Sequence, residues 1–206
     1  MKQANSDLAP FFTPKSVAIF GSFKEGYFAG YPAIKQLMDF GFSGKIYPVN
    51  PRYTEVLGHK VYPSVNEVPD VIDLAFIMTN ASAVPQIMTE CAEKGVKSAI
   101  LVSDGFAERG EEGARLQRTV VDIARRGGVR IIGPNTAGIM SPVDNMICCA
   151  YFCGYDKVPK GTIALVSQTG IIAPEALPWH EFHCGINKLI RACCINPFHD
   201  ISSMLR

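Results

Sequence analysis

A glycine-rich loop follows the first apolar stretch of the chain and has the composition of a phosphate-binding turn. It covers residues 21–30 with the sequence GSFKEGYFAG, and an amphipathic stretch follows it. Glycines permit tight backbone geometry, and amides at the N-terminus of a helix attract phosphate. The loop predicts a phosphate or nucleotide site, although a glycine-rich loop alone is not specific.

Two positions argue against NAD as the ligand of this loop. The dinucleotide fingerprint G-x-G-x-x-G requires a glycine where Phe23 stands. The acidic residue expected at the end of the second strand is replaced by Asn50-Pro51-Arg52. A cation at Arg52, together with Lys24, suits a ligand that carries an additional phosphate. NADP and the 3′-phosphorylated ADP group of coenzyme A both satisfy that requirement.

Metal binding is the other chemistry that the residue types raise. His180 and His183 have the spacing of one helix face beside Cys184, and three cysteines lie between residues 148 and 153. No second CxxC-type pair supports a metal cluster, so surface histidines and buried thiols are favoured. Seven cysteines, an odd number with two adjacent pairs, predict reduced thiols rather than a disulfide framework.

Strand-length apolar stretches alternate with helix-length amphipathic stretches, and this alternation would position the loops. The pattern predicts strands at 16–21, 45–50, 73–78, 96–103 and 129–132, and helices at 31–41, 82–94 and 111–127. Crossover helices between strands imply a parallel sheet, and continuous apolar strands imply that both of its faces are covered. We therefore predict an α/β fold with a Rossmann-like, doubly wound domain over residues 1–140.

A second unit is predicted after this domain. Residues 141–160 are irregular and are expected to form a linker with room for a short strand. Strands are predicted at 161–167 and 187–195, with a helix after residue 170 and the start of another at 201–206. Two strands cannot close a core of this kind. Residues 161–206 are therefore expected to be the incomplete start of a flavodoxin-like second α/β domain.

Composition narrows the classes of partner. The chain has 206 residues, 48% of them hydrophobic, with 20 Lys+Arg against 19 Asp+Glu. This excludes global disorder and gives no electrostatic reason to expect nucleic acid. No apolar run approaches the roughly 20 residues of a membrane span, and the N-terminus has no signal-peptide core. We expect a cytoplasmic protein without a membrane or nucleic-acid partner.

Several blocks of the sequence resemble a known family. They are FFTPKSVAIFGS, GFSGKIYPVNPRYTEVLGHKVYPSVNEVPDVIDLAFI, CAEKGVKSAILVSDGFAERGEEGARLQ, IIGPNTAGIM and PKGTIALVSQTG. Together they are similar to the CoA-binding half of the NDP-forming acyl-CoA synthetases, which include ADP-forming acetyl-CoA synthetase and the succinyl-CoA synthetase α subunit. The resemblance covers essentially the whole chain. It implies that the cofactor is coenzyme A.

The resemblance also implies which residues bind. Those carried over for coenzyme A are Gly21, Ser22, Lys24, Gly26, Pro51, Arg52, Thr79, Asn80, Ala81, Ser103, Asp104, Gly105, Phe106 and Asn135. In the family the first loop lines the CoA phosphates, Arg52 lies at the adenosine end, and Asn135 lies near the thiol. Such loops share one edge of a sheet, so one extended ligand can contact them all. A second phosphate segment, for the phosphoryl group carried on a histidine, is implied at Ser167, Gln168, Thr169 and Gly170.

The same resemblance implies a phosphorylated histidine and an ATP-grasp domain, which these residues do not supply. The family's phosphorylated histidine lies downstream of the matching segment, and His59, His180, His183 and His199 do not occupy its position. An ATP-grasp domain is also needed. We expect no catalytic residue and no turnover from this chain alone, and we expect it to associate with an ATP-grasp domain or subunit, or with another copy of itself.

Three hypotheses for the function stay open at this point. The first is the CoA-binding portion of an acid–thiol ligase that makes acyl-CoA from an acid, CoA and ATP. The second is a stand-alone, non-catalytic module that binds CoA or acyl-CoA. The third, an NADP-binding Rossmann protein, is disfavoured by Phe23 and by the loop blocks.

Overall fold

The structure is a computed structural model that describes residues 8–26, 28–151, 159–167 and 185–192. Its strands in chain order are β1 (Ser16–Phe20), β2 (Lys45–Val49), β3 (Glu55–Val56), β4 (His59–Lys60), β5 (Leu74–Ile77), β6 (Ser98–Leu101), β7 (Arg130–Ile132), β8 (Thr136–Ser141), β9 (Met146–Cys149), β10 (Lys160–Ser167) and β11 (Ile186–Ala192). Its α-helices are α1 (Ala9–Phe12), α2 (Gly30–Asp39), α3 (Val84–Lys94) and α4 (Glu111–Gly127). Among these described helices, none has the length and apolar character to cross a membrane.

Five parallel strands form the first sheet, in the order β2-β1-β5-β6-β7. Ala18 at the centre of β1 pairs with Tyr47 on one side and with Ala75 on the other. Every strand predicted for the first domain is present, and α2, α3 and α4 occupy the predicted helical segments. The predicted Rossmann-like, doubly wound sheet is therefore confirmed. The helix predicted at 82–94 differs only at its start, where a 3₁₀ turn at Ala81–Ala83 precedes α3.

Alternate residues of each strand enter two separate cores. On β1, Val17 and Ile19 pack in a cluster with helix α2 and with residues of the second sheet. Ala18 and Phe20 face the opposite cluster, which contains Met88 of α3 and residues of α4. Because both faces of the sheet are covered, β1 is buried along its whole length, which explains its continuous apolar sequence.

A second sheet has the order β10-β11-β8-β9. Strands β10 and β11 pair in parallel, whereas β8 pairs with both β11 and β9 in antiparallel fashion. The described part of this sheet is mixed and has four strands, two more than expected. The predicted helices after residue 170 and at 201–206 lie outside the described residues.

The segment predicted as a linker, 141–160, contains a strand of the second sheet. Its residues Met146–Cys149 form β9, and β8 before it belongs to the same sheet rather than to the first one. The prediction left room for a short strand in this segment, and β9 is such a strand. Pro142 and Asn145 make a tight turn between two strands, and all four residues of β9 are buried.

Helix α2 fastens this second sheet to the first domain. The Nε2 group of Gln36 lies within hydrogen-bond distance of the carbonyls of Cys149 (3.1 Å), Tyr151 (2.8 Å) and, one turn earlier, Pro32 (3.0 Å), and its two hydrogens are shared among these three acceptors. Gln36 is 4% exposed, and its hydrogen bond to Cys149 is buried whereas the one to Tyr151 is partly buried. Buried carbonyls need a donor, and this side chain supplies it.

The described cysteines Cys91, Cys148 and Cys149 are free and buried, as the favoured hypothesis of structural thiols predicts. Burial raises the pKa of Cys91 to about 12, with a further contribution from Glu90. Burial likewise raises the pKa of Cys148 well above its ordinary value. These side chains therefore act as small apolar core residues.

We predict that Gln36→Leu destabilises the chain by about 1–3 kcal/mol, because the substitution keeps the volume but removes this donor from one buried and one partly buried carbonyl. Urea unfolding followed by circular dichroism measures the change. Gln86→Leu on the exposed face of α3 is the matched control, and it should shift the unfolding free energy by less than about 0.5 kcal/mol. Equal stability of Gln36→Leu and the wild type would contradict the proposed fastening.

Candidate functional site

The loops that carry the predicted site residues leave the carboxyl ends of the parallel strands. Along the sheet, chain order reverses between β1 and β5, because β2 lies on one side of β1 and β5 on the other. Ligands of doubly wound sheets bind outside such a reversal point. The loops after β1, β2, β5, β6 and β7 therefore surround the position where a ligand is expected.

Gly21 starts the first loop and is buried against the loop after β5. A Cβ atom at this position would lie 3.1 Å from the carbonyl oxygen of Met78 and 3.3 Å from its Cβ. The close approach of the two loops therefore requires glycine here. Ser22, Lys24 and Gly26 follow on the exposed side of the loop, and the loop closes through a hydrogen bond from the Gly30 amide to the Ser22 carbonyl (3.1 Å).

Asn50 links the loop after β2 to the first loop. Its Nδ2 donates to the carbonyl of Gly21 (2.6 Å), and its Oδ1 accepts from the amide of Arg52 (2.8 Å). Pro51 and Arg52 are exposed. The backbone of Arg52 is thus held beside the glycine-rich loop, and the residue is exposed to solvent.

Tyr53 completes the contact between these two loops. Its ring packs edge-on against buried Phe23, with centroids 5.4 Å apart, and its hydroxyl lies 3.2 Å from Oγ of Ser22. This hydrogen bond from Ser22 lowers the pKa of the Tyr53 phenol, and the nearby charge of Arg52 acts in the same direction. Phe23, which removes the NAD fingerprint, is therefore part of the support beneath the first loop.

A cleft of about 480 Å³ opens over the ends of β5, β6 and β7. We call it the carboxyl-edge cleft. Its lining residues are Phe28, Met78, Thr79, Asn80, Val102, Ser103, Asp104, Asn135, Thr136, Ala137 and Tyr151. Five of the predicted residues, from three separate loops, therefore meet in one cavity.

Ser103 holds the three loops of the carboxyl-edge cleft together. Its hydroxyl accepts a hydrogen bond from the amide of Thr79 (3.2 Å), and its carbonyl accepts one from the amide of Asn135 (2.9 Å). Its side chain is buried at 6% exposure. Much of its hydrogen-bonding capacity is therefore used in positioning Thr79 and Asn135.

The loop after β6 divides into an exposed part and a buried part. Asp104 points to solvent, 4.0 Å from the Arg109 guanidinium, whereas Phe106 is fully buried in the core between the sheet and α4. The amides of Gly105 and Phe106 donate to Oε1 of Glu108 (2.5 and 3.0 Å). Burial opposes the ionisation of Glu108, but these backbone hydrogen bonds lower its pKa overall. Phe106 thus supports the loop from beneath.

The remaining predicted residues divide by location. Gly21, Ser22, Lys24, Gly26, Pro51 and Arg52 lie around the ends of β1 and β2, and Ala81, Gly105 and Phe106 lie outside the lining of the cleft. Ser167 is buried at the end of β10, and Gln168, Thr169 and Gly170 lie outside the described residues.

Sequence reasoning missed Phe28, Met78, Val102, Thr136, Ala137 and Tyr151 in the cleft, and Asn50 and Tyr53 beside it. Most of them adjoin residues that were predicted, so the loops were identified but not every residue that lines the cleft or lies beside it. Tyr151 had no such signal. It enters the site only because β9 brings it there.

The sheet and its cleft define a Rossmann-like protein that binds a nucleotide-containing cofactor. Residues 15–142 match the model of the family described as CoA binding domain, and the chain belongs to that family. Membership of this family confirms coenzyme A as the cofactor predicted from the sequence.

Similar proteins extend the comparison. The chain is 43% identical over 187 residues to the acetate–CoA ligase [ADP-forming] II of Archaeoglobus fulgidus. This alignment covers 89% of this chain and 28% of that protein. It is 40% identical to the α subunit of acetate–CoA ligase [ADP-forming] I of Pyrococcus furiosus, covering 84% of this chain and 37% of the relative. The predicted resemblance to the NDP-forming acyl-CoA synthetases is confirmed.

A solved structure agrees with both comparisons. The apo form of the dinucleotide-forming acetyl-coenzyme A synthetase 1 of Ca. Korarchaeum cryptofilum superposes with a TM-score of 0.80 at 31% identity, over 89% of this chain and 39% of that one. The chain therefore spans well under half the length of these relatives.

We predict that the Tyr53 phenol ionises below its ordinary pKa of 10.0, because Ser22 stabilises the phenolate. Near-ultraviolet absorbance titration measures this, and the difference from Tyr53→Phe isolates the one tyrosine. Ser22→Ala should return the pKa towards the ordinary value. Since the folded pKa is the lower one, this group's contribution to stability grows as pH rises through it and is complete above 10. An unchanged pKa in Ser22→Ala would contradict the assignment.

Proposed function

We propose that coenzyme A lies along the carboxyl edge of the parallel sheet, with its 3′-phosphate end at Arg52 and its thiol end in the carboxyl-edge cleft. The observation that carries the proposal is the meeting of Thr79, Asn80, Ser103, Asp104 and Asn135 in one cavity beside the glycine-rich loop. Membership of the CoA binding domain family supports the choice of ligand.

The phosphate end is argued from charge and backbone geometry. Lys24 and Arg52 are exposed cations on two loops that Asn50 ties together. Helix α2 begins at Gly30 directly after the glycine-rich loop, and its first turn carries no acidic residue. The positive end of the helix dipole and two cations favour the pyrophosphate and 3′-phosphate groups of CoA.

The thiol end is argued from the dimensions of the sheet. Arg52 follows the edge strand β2, and Asn135 follows β7 at the opposite edge, four strand spacings away. At about 4.8 Å per spacing the two positions are about 19 Å apart, which calls for an extended ligand. CoA with its pantetheine arm is such a ligand. The arm then crosses β5 and β6 to reach Asn135.

We further propose that this chain is the CoA-binding portion of an NDP-forming acyl-CoA synthetase, an acid–thiol ligase. In that reaction an acid, CoA and ATP give acyl-CoA, ADP and phosphate. The contribution of this chain is to bind CoA and to hold its thiol at the mouth of the cleft. The phosphorylated histidine and the ATP-grasp domain are supplied by other parts of the protein or by a partner, and Ser167–Gly170 are assigned to the phosphoryl group. The similarity to ADP-forming acetate–CoA ligases supports this wider role.

We predict that Gly26→Asp weakens CoA binding about tenfold or more, because it sets a carboxylate against the CoA phosphates. The fold should tolerate the change, since an added Cβ would meet nothing closer than the Lys24 carbonyl oxygen at 4.0 Å. Calorimetric titration gives the affinity. Gly26→Asn is the matched control of equal size without the charge, and it should lose much less. Equal affinities of the Asp and Asn variants would remove the phosphates from this loop.

A separate prediction concerns the 3′-phosphate. Arg52→Ala should weaken CoA about tenfold through loss of a charge-assisted contact, and should change dephospho-CoA binding little. Arg118→Ala on the exposed side of α4 makes the same change in net charge far from the loop and should affect neither ligand. If Arg52→Ala weakens both ligands equally, Arg52 does not contact the 3′-phosphate.

A further inference from the structure

Ala29, the residue directly before helix α2, has a backbone conformation that residues other than glycine rarely adopt. Its φ is 138° and its ψ is −157°. This region is essentially restricted to glycine, because a Cβ atom there collides with the backbone. A strained conformation of this kind persists only where surrounding contacts impose it. The contacts of Ala29 therefore determine how the glycine-rich loop joins α2.

The contacts that impose this conformation come from the second sheet. The amide of Ala29 donates a hydrogen bond to the carbonyl of Ala150 (3.2 Å), and the adjacent residues Phe28 and Tyr151 form an antiparallel bridge. The rings of Phe28 and Tyr151 also pack with centroids 4.8 Å apart. The end of the glycine-rich loop is thus attached to the chain that leaves β9.

Gln36 holds the same junction from a second point on α2. It lies about two turns beyond Ala29, and its Nε2 group is 3.1 Å from the carbonyl of Cys149 and 2.8 Å from that of Tyr151. These two carbonyls flank Ala150, whose own carbonyl accepts from Ala29. Because one helix carries both sets of contacts, loss of the Gln36 hydrogen bonds weakens the restraint on Ala29.

The restrained segment is the one proposed to bind the CoA phosphates. Ser22, Lys24 and Gly26 precede Ala29 in the loop, and the positive end of α2 follows it. An apparent dissociation constant equals the intrinsic one divided by the fraction of molecules in the binding conformation. Strain at Ala29 lowers that fraction, and the junction with the second sheet restores it.

We propose that Gln36 is a positioning residue for CoA, which acts through the junction with β9 to keep Ala29 and the glycine-rich loop in the conformation that binds the phosphates. The inference rests on the proposed function, because it takes the phosphates to lie at this loop. Gln36 is 4% exposed and does not line the carboxyl-edge cleft, so its effect on CoA is indirect.

The first test is calorimetric titration of CoA into variants of the chain. Gln36→Leu should weaken CoA about three- to tenfold, whereas Gln86→Leu on the exposed face of α3 should not. In a chain that also carries Ala29→Gly, the loss caused by Gln36→Leu should fall below about twofold, because glycine adopts the required conformation unaided. Ala29→Ser keeps the Cβ atom and is the matched control that should give no such rescue.

A second measurement uses neither CoA nor the Gln36 variant. Relief of strain by Ala29→Gly should raise the thermal unfolding midpoint by about 2–4 °C. Ala33→Gly, inside α2, should lower the midpoint, which is the ordinary effect of glycine in a helix. A midpoint that is unchanged or lowered in Ala29→Gly overturns the inference, because the junction would then have no strain to hold.

The contrary results of the titration are also distinct. If Gln36→Leu binds CoA as tightly as the wild type does, the inference is overturned and the proposed function stands. If Gln36→Leu binds weakly and Ala29→Gly gives no rescue, the effect of Gln36 does not pass through Ala29, and the inference is again overturned. Failure of CoA to bind the wild type refutes the proposed function and the inference with it.

Discussion

The parallel pairing of β1 with both β2 and β5 is the constraint on which the rest of the site depends. It brings the loops after three strands to the same edge, and it places the reversal of chain order beside the glycine-rich loop. Gly21 and Asn50 then fix the loops at contact distance. This single arrangement sets the positions of Lys24 and Arg52, of the N-terminus of α2 and of the cleft.

The second sheet contributes residues to the carboxyl-edge cleft as well as to the buried core. Its attachment through Gln36 brings Tyr151 to the cleft and gives Phe28 a partner. The site is therefore composite: the first domain supplies the groups proposed for the phosphates, and the junction with the second sheet supplies the contact between the rings of Phe28 and Tyr151 at the cleft. A chain ending at the boundary predicted from sequence, residue 140, would lack Tyr151.

The sequence predicted the first sheet and its loops well because alternating strands and helices produce strong local patterns. It did not predict β8 as part of a second sheet, since its partners β9 and β11 are set by long-range pairing that no local pattern records. Residue type and spacing also identified which loops form the site, but they did not indicate which side chains of those loops line the cleft and which are buried. Phe106 is buried, whereas Asp104, two residues earlier, is exposed and lines the cleft, and Tyr151 lines the cleft although nothing nearby in the sequence marked it.

The most direct test of the account is calorimetric titration of the chain with coenzyme A, with NADP as the comparison ligand. Both carry a phosphorylated ADP group, but only CoA has a pantetheine arm, which in the proposed placement extends from Arg52 to Asn135. The account predicts binding of CoA with a micromolar dissociation constant and no heat of binding for NADP. Binding of NADP in the absence of CoA binding would contradict it.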